Sequence, residues 1–504
     1  MVSTRATIEQ DVQELRRTFN SGATKDVKTR RRLLQQLQRM LNEGLPAIKE
    51  ALWKDLRKHS LEAHVHELSV VLHEVQTHLD YFEDWAQPER VGTNLLNLPG
   101  SSYVYKDPLG VVCIIGTWNY PFQVLFTPLV GALSAGNCAL LRLPGDDTCV
   151  HVIEVMKNLL DKYMDKQFVR YVHGGVEATQ ATLDQKFDLI FCTSGPFLGK
   201  IVAQAAAKTL TPVVLELGGK SPVIVHKDCD LDVTARRIAW AAFANAGQTC
   251  IRADYVLVDS SVGDELVKRI SDNVRAFYGE NPEESDCLGR LINPKSFDRV
   301  SGLLEQDRKY VVSGGNSNAK IRYIEPTVLS FKKDLAAFQS SAVMSEEIFG
   351  PLLPVCYFDD VSQAIDHVNA NPKPLSLYIF TRSNSFRDRI LTSTSSGGVT
   401  VNDCLVHASN SNLPFGGVGN SGHGAYHGKL TFDVFTHHKS VLVKSFALDV
   451  KERYAPYTPF AERLMLFLLK PVPRRFVSSI KWTSFVLVLA VVGALLKRRM
   501  RFAQ

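Results

Sequence analysis

The sequence lacks the features of a secreted, metal-binding or disordered protein. Its nine cysteines are widely and irregularly spaced and include no C-x-x-C pair, which argues against a disulfide framework and against a zinc site. The N-terminal stretch is polar and of mixed charge, without the apolar run of a secretory signal. With 45% hydrophobic and 22% charged residues among 504, the composition is that of a globular chain. We therefore expect a cytosolic body with reduced cysteines and no bound metal.

The excess of positive charge is confined to one end of the chain. Residues 470–504 hold eight Lys and Arg and no Asp or Glu, which leaves 50 of the 58 basic residues against all 52 acidic residues over 1–469. The body therefore lacks the basic excess of a nucleic-acid-binding protein. We predict no nucleic-acid partner.

The same C-terminal end contains an apolar stretch at 476–496 that is interrupted only by Lys481. As a helix it would span roughly 31 Å, close to the thickness of a bilayer core. We predict a transmembrane anchor with the body in the cytosol, and a buried core helix is the alternative. The proline-bounded apolar run at 459–470 indicates an amphipathic helix in the membrane interface. The endoplasmic reticulum is the expected membrane, with the peroxisome and the outer mitochondrial membrane as alternatives.

The rest of the chain reads as helices followed by alternating strands and helices. Residues 5–85 repeat apolar side chains at helical spacing, with a stop at 20–22. After Pro108, short apolar runs separated by helical segments indicate parallel βαβ units, and hence an α/β protein. The predicted strands cover 111–115, 138–141, 168–172, 189–192, 213–217, 223–225, 255–258, 353–358 and 377–380.

Three residues stand out as candidates for chemistry. A reactive cysteine needs exposure and a nearby base, and Cys250 alone among the cysteines follows a small, polar stretch, at 245–249. Glu216 lies in an apolar run where burial would raise its pKa and suit it to be a general base, although a structural ion pair is the alternative. Asn119 follows the strand at 111–115, where parallel sheets bind ligands, or is a turn residue.

The segment 417–422 matches the dinucleotide-binding pattern G-x-G-x-x-G by letter. No predicted strand precedes it, and no acidic residue follows at about 20 positions. A glycine-rich active-site loop is the better interpretation, with a plain turn as the alternative.

Five blocks of sequence together resemble the NAD(P)-dependent aldehyde dehydrogenases, and they occur in that family's order. The blocks are WNYP at 118–121, LELGGKSP at 215–222, GQTC at 247–250, EEIFGP at 346–351 and LPFGGVGNSG at 413–422. The resemblance covers about residues 5–445. The GGKSP form, the short N-terminus and the C-terminal anchor are most similar to the class 3 branch and its membrane-bound fatty aldehyde dehydrogenases.

The resemblance implies a role for each candidate. Cys250 would be the nucleophile, Glu216 the general base, and the Asn119 side chain with the Cys250 backbone N–H the oxyanion hole. Oxidation would pass through a thiohemiacetal and a thioester on the cysteine, with NAD as cofactor and NADP as an alternative. Glu347 would hold the nicotinamide ribose. The residues that the resemblance assigns to cofactor binding are Trp118, Arg142, Ser194, Gly195, Gly199, Glu347 and Phe349.

Two cofactor segments depart from the family's pattern. At 142–145 the sequence reads RLPG where relatives usually have Lys-Pro-Ser-Glu, so the Glu that commonly meets the ribose hydroxyls is absent, with Asp146 or Asp147 as substitutes. Arg142 would also tolerate a 2′-phosphate, which keeps NADP open. At 194–199 the usual turn reads SGPFLG, in which Pro196 removes one backbone donor.

The implied fold has a Rossmann-like cofactor domain, an α/β catalytic domain and a small oligomerisation hairpin, followed by a transmembrane helix. The expected boundaries are 1–212 for the cofactor domain with the hairpin near 91–107, 213–415 for the catalytic domain, 416–450 for the return to the cofactor domain and an oligomerisation arm, 459–470 for the interfacial helix and 476–496 for the anchor. A homodimer is also implied.

The implied activity is oxidation of long-chain aliphatic aldehydes to fatty acids, because an anchored body would meet aldehydes dissolved in the bilayer. The alternatives are an anchored enzyme of broad medium-chain or aromatic specificity, a catalytically impaired relative with an altered cofactor site, and a cofactor-independent thiol hydrolase that uses Cys250 and Glu216.

Overall fold

The computed structural model describes residues 2–145, 148–447, 449–471 and 490. The helices are α1 Arg5–Asn20, α2 Val27–Leu56, α3 Ser60–Ala63, α4 Ser69–Trp85, α5 Pro121–Ala135, α6 Val150–Tyr163, α7 Val176–Leu183, α8 Pro196–Ala207, α9 Leu231–Phe243, α10 Gly263–Tyr278, α11 Pro294–Gln306, α12 Leu335–Gln339, α13 Ala342–Ser345, α14 Val361–Ala370, α15 Asn384–Ser393, α16 Lys429–Val434 and α17 Pro459–Leu469. The strands are β1 Glu89–Val91, β2 Ser101–Pro108, β3 Val111–Ile115, β4 Cys138–Arg142, β5 Val169–Val172, β6 Leu189–Thr193, β7 Val213–Glu216, β8 Pro222–Val225, β9 Tyr255–Asp259, β10 Val311–Ser313, β11 Ser317–Asn318, β12 Tyr323–Ile324, β13 Thr327–Lys332, β14 Leu352–Phe358, β15 Ser376–Phe380, β16 Gly398–Val401, β17 Gly422–His423 and β18 Thr436–Val443. The chain divides into a larger unit, 1–87 with 106–437, and a smaller unit, 88–105 with 438–504.

The first sheet of the larger unit has six strands in the order β17-β7-β6-β3-β4-β5. Its strands are parallel except β17, which pairs antiparallel with β7. Every residue of β3 and β4 is buried, as expected for central strands of a parallel sheet covered on both faces. The carboxyl ends of β7, β6 and β3 lie side by side, so the residues that follow them meet at one edge of the sheet.

The second sheet has seven strands in the order β10-β13-β14-β9-β8-β15-β16. All neighbours are parallel except β10 and β13. Successive side chains enter opposite cores: Val223 and Val256 pack on one face, Ile224 and Leu257 on the other. Burial of both faces explains why these strands appear in the sequence as continuous apolar runs.

The predicted α/β architecture is confirmed. Each of the nine predicted strands is present, with its ends within one residue of the prediction, and helices fill most of 5–85. The domain division expected at 212/213 falls at the start of β7. Strand β7 pairs with β6, so the first sheet includes Glu216 and the second begins at Pro222. An apolar run does not encode which sheet its strand joins.

The smaller unit contains a three-stranded sheet of order β1-β2-β18, in which β1 and β2 form an antiparallel hairpin. It also contains α17, whose Leu466, Phe467 and Leu469 are exposed. Within the described ranges no helix has the length and apolar character needed to cross a membrane. Apart from residue 490, the anchor predicted at 476–496 lies outside the described residues.

Candidate active site

A cavity of about 490 Å³ lies where the loops after β3, β6 and β7 meet the loop before β9. Most of the residues singled out in the sequence line this one cavity. These are Trp118, Asn119, Ser194, Gly195, Glu216, Cys250, Glu347 and Phe349. A thiol, a carboxylate and an amide are thus brought together from three separate segments of the chain, at positions 250, 216 and 119.

Glu216 is the last residue of β7 and is 3% exposed. Neither carboxylate oxygen has a hydrogen-bond partner in the described part of the chain. Burial alone raises the pKa of Glu216 well above its ordinary value, because the charged form loses its hydration. The alternative interpretation of Glu216, a structural ion pair, is therefore wrong. Once ionised, the Glu216 carboxylate can accept a proton, and no described residue gives it a hydrogen bond.

Cys250 follows a tight 3₁₀ turn, Ala244–Gly247, in which Asn245 and Ala246 both adopt positive φ. The residue is partly exposed. Burial of the sulfur, together with the Glu347 and Glu216 carboxylates, raises the pKa of Cys250 to about 12, although nearby backbone N–H groups oppose this shift. The thiol therefore keeps its proton at neutral pH, and a base must take that proton before the sulfur can attack.

Asn119 is 3% exposed and lies in the loop between β3 and α5. Its Nδ2 donates to the Gln248 carbonyl at 3.1 Å, which ties this loop to the one that carries Cys250. A carboxamide nitrogen has two N–H donors, so the second can serve a ligand. These bonds favour a ligand-facing role for Asn119 over that of a simple turn residue.

Gln248 fixes the Cys250 loop from the opposite side. Its Nε2 donates to the carbonyls of Asn245 and Arg290, both at 3.0 Å, and its Oε1 accepts from the Ile292 N–H at 2.9 Å. The side chain is fully buried, so water does not compete for these bonds. The loop is thus rigid before any ligand arrives.

Glu347 and Phe349 approach the cavity from the loop between α13 and β14. Phe349 has a φ of 45° and packs edge-to-face on Trp118 at 5.5 Å between ring centroids. Burial and the charge of Asp254 raise the pKa of Glu347 to about 8, against the opposing effect of the Gly219 N–H and Lys220. Its Oε1 is buried and without a partner in the described chain.

Comparison with known proteins decides the family. The profile of the aldehyde dehydrogenase family matches residues 1–441. The chain belongs to this family. It is 42% identical to "Aldehyde dehydrogenase family 3 member A2" of Rattus norvegicus over 489 residues, 96% of this chain and 99% of the relative. It is 43% identical to the dimeric NADP-preferring aldehyde dehydrogenase of the same species over 453 residues, 90% of this chain and 98% of the relative.

A solved structure agrees with these relatives. "Substrate bound state of Staphylococcus Aureus AldH" superposes with a TM-score of 0.88 at 40% identity, over 91% of this chain and 99% of that one. The α/β fold with its Rossmann-like sheets is therefore the aldehyde dehydrogenase fold, and the chain is an NAD(P)-dependent oxidoreductase that acts on aldehydes. The resemblance drawn from the five sequence blocks is confirmed.

Two predicted cofactor residues of the dehydrogenase lie outside the cavity lining. Arg142 is 4% exposed and donates to the Gly174 carbonyl at 2.5 Å and to Thr179 Oγ1 at 3.0 Å, so its guanidinium braces the loops around it. A 2′-phosphate would have to compete with these bonds. A Cβ at Gly199 would lie 2.6 Å from Leu217 Cδ2, which makes this glycine a packing requirement of α8. Asp146 and Asp147 lie outside the described residues.

Sequence reasoning missed several buried charges of the dehydrogenase. Lys220 donates to Asp254 Oδ2 at 2.5 Å and to the Glu346 carbonyl at 2.9 Å, and so holds the loop that carries Glu347. The position of Lys220 inside the LELGGKSP block could have marked it as a residue of the site. Lys58 and Glu67 lie beneath the Asn119 loop, and nothing in the helical pattern of 5–85 separates them from surface charges.

Proposed function

We propose that this dehydrogenase oxidises long-chain aliphatic aldehydes to fatty acids, with Cys250 as nucleophile, Glu216 as general base and Asn119 as oxyanion donor. One observation carries the substrate class: the cavity that holds these three side chains shares a wall with a second, larger cavity.

The second cavity has a volume of about 760 Å³. It shares Val65, His66, Trp240 and Val406 with the catalytic cavity. The rest of its wall combines apolar or aromatic side chains (Leu61, Ala244, Phe277 and Tyr278) with charged ones (Glu62, Arg236, Arg237 and Asp403). A ligand whose carbonyl lies at Cys250 can therefore extend an alkyl chain past the shared wall, where burial of each methylene is favourable by about 0.8 kcal/mol. This arrangement favours long aldehydes over short ones.

Addition begins when Glu216 accepts the proton of the Cys250 thiol, directly or through water. The Sγ–C bond forms as the carbonyl π bond breaks, and the oxygen becomes an oxyanion. The free N–H of the Asn119 amide and the Cys250 backbone N–H are preorganised donors for this charge. Each such donor typically contributes roughly 3–4 kcal/mol to transition-state stabilisation.

A bound nicotinamide would supply the hydride acceptor for the thiohemiacetal carbon, and Glu347, Phe349 and Trp118 would hold it in the cavity. The substrate is then a thioester on Cys250. Glu216 first releases the proton of Cys250 to solvent. The ionised carboxylate then takes a proton from the water that attacks the thioester, and Asn119 stabilises the second oxyanion. Glu216 passes this second proton to the leaving Sγ. Release of the carboxylic acid restores the thiol.

The cavity fits a dinucleotide at the carboxyl end of β6. A Cβ at Gly195 would meet no atom within 4 Å, so there is open space in front of this turn. The helix α8 begins at the next residue, and its N-terminus favours the negative charge of a pyrophosphate. The unpartnered Glu347 Oε1 suits the hydroxyls of the nicotinamide ribose, with Phe349 and Trp118 as apolar walls. NAD is the expected cofactor, with NADP as the alternative.

Gly218→Ala is expected to weaken cofactor binding. A Cβ at this position would lie 2.1 Å from Glu347 Oε2 and would displace the carboxylate. Loss of its hydrogen bonds to the ribose hydroxyls should raise the dissociation constants of NAD and NADP about 10- to 100-fold, measured by isothermal titration calorimetry. Gly302→Ala on α11 is the control, because no atom lies near its added Cβ. Unchanged cofactor affinity in Gly218→Ala would argue against Glu347 as a ligand.

Leu61→Arg is expected to change chain-length preference without changing the chemistry. Leu61 lines the second cavity and is 65% exposed, so the fold tolerates the change while the alkyl chain meets a charge. We expect kcat/KM for octadecanal to fall about tenfold, equivalent to the loss of roughly two buried methylenes, with acetaldehyde unaffected. Leu210→Arg, at an exposed leucine away from both cavities, is the control. An equal loss for both aldehydes would contradict the assignment of this cavity.

Steady-state kinetics over the linear aldehydes from acetaldehyde to octadecanal, with each cofactor in turn, test the proposed substrate class. A kcat/KM that rises with chain length supports it. A maximum at medium-chain or aromatic aldehydes favours the broad-specificity alternative, and no cofactor-dependent turnover favours the impaired relative. Ester cleavage without aldehyde oxidation favours the thiol hydrolase.

The membrane anchor is a proposal supported by the C-terminal sequence. The apolar stretch at 476–496 is long enough to span a bilayer. The alignment with "Aldehyde dehydrogenase family 3 member A2" covers 96% of the chain, which requires it to extend into 470–504. The exposed apolar side chains of α17 suit the interface of the same membrane. The endoplasmic reticulum, with a cytosolic body, is the proposed location.

A chain that ends after residue 473 tests this anchor. We expect the full-length protein to sediment with membranes, and the shortened protein to stay in the supernatant with its activity on acetaldehyde intact. Fractionation of expressing cells measures the distribution. Equal sedimentation of both chains would contradict an anchor at 476–496.

A homodimer is proposed because the sheet of β1, β2 and β18 supplies a separate small unit, and because the rat relative is named as dimeric. Equilibrium sedimentation of the shortened chain tests it. A mass of one chain across the concentrations used would contradict it.

A further inference from the structure

An ion pair lies buried beneath the Asn119 loop. Lys58 Nζ is 2.7 Å from Glu67 Oε1, and both side chains are 0% exposed. Burying two charges carries a desolvation cost of several kcal/mol per ion, which the pair recovers only if further hydrogen bonds satisfy it. The other hydrogen bonds of Lys58 and Glu67 therefore indicate which part of the structure the pair stabilises.

Those bonds go to the loop that carries Asn119. Lys58 Nζ donates to the Asn119 carbonyl at 2.8 Å and lies 4.2 Å from the ring centroid of Tyr120. Glu67 Oε2 accepts the backbone N–H groups of Phe122 at 3.0 Å and Gln123 at 3.3 Å, and so caps the first turn of α5. The pair thus holds the loop at the Asn119–Tyr120 peptide and again at the start of α5.

Two donors meet at the Asn119 carbonyl. Besides Lys58, the Asn245 Nδ2 donates to it at 3.1 Å. Both lone pairs of the carbonyl are then used, and the peptide cannot rotate without breaking a buried bond. The Asn119 side chain extends from this fixed backbone, and the bond from its Nδ2 to the Gln248 carbonyl holds the amide in the cavity wall.

We propose that Lys58, paired with Glu67, is a positioning residue that sets the oxyanion donor of Asn119; the inference rests on the oxyanion role proposed for Asn119. Lys58 lines neither of the two cavities described above, so it acts through Asn119 and not on the substrate. Misplacement of a catalytic group by about 1 Å can cost about 100-fold in rate.

A double-mutant cycle tests the proposal. The first arm is Lys58→Met with Glu67→Gln, which removes both charges together so that no lone buried ion remains. The second arm is Asn119→Ala, and the third variant combines all three changes. Each is assayed for aldehyde oxidation and for hydrolysis of 4-nitrophenyl acetate without cofactor, a reaction that also forms an oxyanion at Cys250. The dissociation constant for NAD and the melting temperature report on the fold.

We expect the charge-pair variant to lose about 10- to 100-fold in kcat on both substrates, with KM and NAD affinity unchanged. In the Asn119→Ala background the same change should have no further effect, because its target is already absent. Losses that multiply in the combined variant, or wild-type kcat in the charge-pair variant, would overturn the proposal.

Lys58→Arg provides a second, milder variant that keeps a charge opposite Glu67. Its larger, planar head shifts the bond to the Asn119 carbonyl, so kcat should fall less than in the charge-pair variant and again not in the Asn119→Ala background. The matched control is Lys54→Met, because Lys54 lies four residues earlier, at the surface of the last turn of α2. If Asn119→Ala itself keeps full activity, the oxyanion role of Asn119 fails first. If the Lys58 variants keep full activity while Asn119→Ala loses it, the proposed function stands and the inference about Lys58 fails.

Discussion

Cys250→Ala lowers aldehyde oxidation at least about 10⁴-fold, since removal of a nucleophile leaves only the catalysis that binding and the oxyanion hole supply. The cavity contains no second thiol among its lining residues. The cofactor still binds, because its proposed contacts lie on the loops after β6 and α13. NADH formation measures the rate, and calorimetry measures cofactor binding.

Cys287→Ala is the matched control for this substitution. Cys287 is exposed and lines the second cavity, and it is not among the described residues that line the catalytic cavity. The Cys287→Ala variant should keep the wild-type rate on acetaldehyde. A loss of rate in this variant would show that the loss of any cysteine lowers activity. Turnover by Cys250→Ala near the wild-type rate would remove the covalent mechanism altogether.

Glu216→Gln separates the two halves of the reaction. The amide cannot accept the proton of the attacking water, so hydrolysis of the thioester should slow about 10²- to 10⁴-fold. Acylation also slows, because the Cys250 thiol holds its proton at neutral pH. We expect the thioester to accumulate during turnover, with a burst of NADH followed by a slow steady state in stopped-flow absorbance. A linear trace at the wild-type rate would contradict the role of Glu216.

The pH dependence of the wild-type enzyme follows from the same carboxyl. Burial raises the pKa of Glu216, so lowering the pH through that pKa protonates the base and stops its action. Hydrolysis of the thioester should therefore rise with pH until Glu216 is ionised. In Glu216→Gln this rise should disappear, which single-turnover measurements across pH can detect.

The sequence was sufficient to predict nine of the eighteen described strands and eight of the residues that line the candidate site. Burial on both faces gives parallel strands continuous apolar runs, so their positions are visible without any structure. Cys250, Glu216 and Asn119 each lie in a block with a defined order, and the fold brings all three to one cavity. That these three residues lie close together was implied only by the family resemblance, because their spacing along the chain does not determine their distances in space.

Other features could not be predicted because they depend on long-range partners. Arg142 was a candidate phosphate ligand from its type and position, but its donors are bonded to the carbonyl of Gly174 and to Thr179. Lys58 has an ordinary place in a helical pattern, and its bond to the Asn119 carbonyl joins residues 61 positions apart. The raised pKa of Cys250 likewise arises from burial of its sulfur and from the Glu347 and Glu216 carboxylates, all of which depend on the fold and not on the local sequence.

The central claim is that a long-chain aldehyde becomes covalently attached to Cys250 during its oxidation. Mass spectrometry of Glu216→Gln, quenched in acid after mixing with hexadecanal and NAD, tests this most directly. The account predicts a hexadecanoyl thioester on the peptide that contains Cys250, absent without NAD and absent from Cys250→Ala. An unmodified Cys250 peptide at a time when NADH has formed would contradict it.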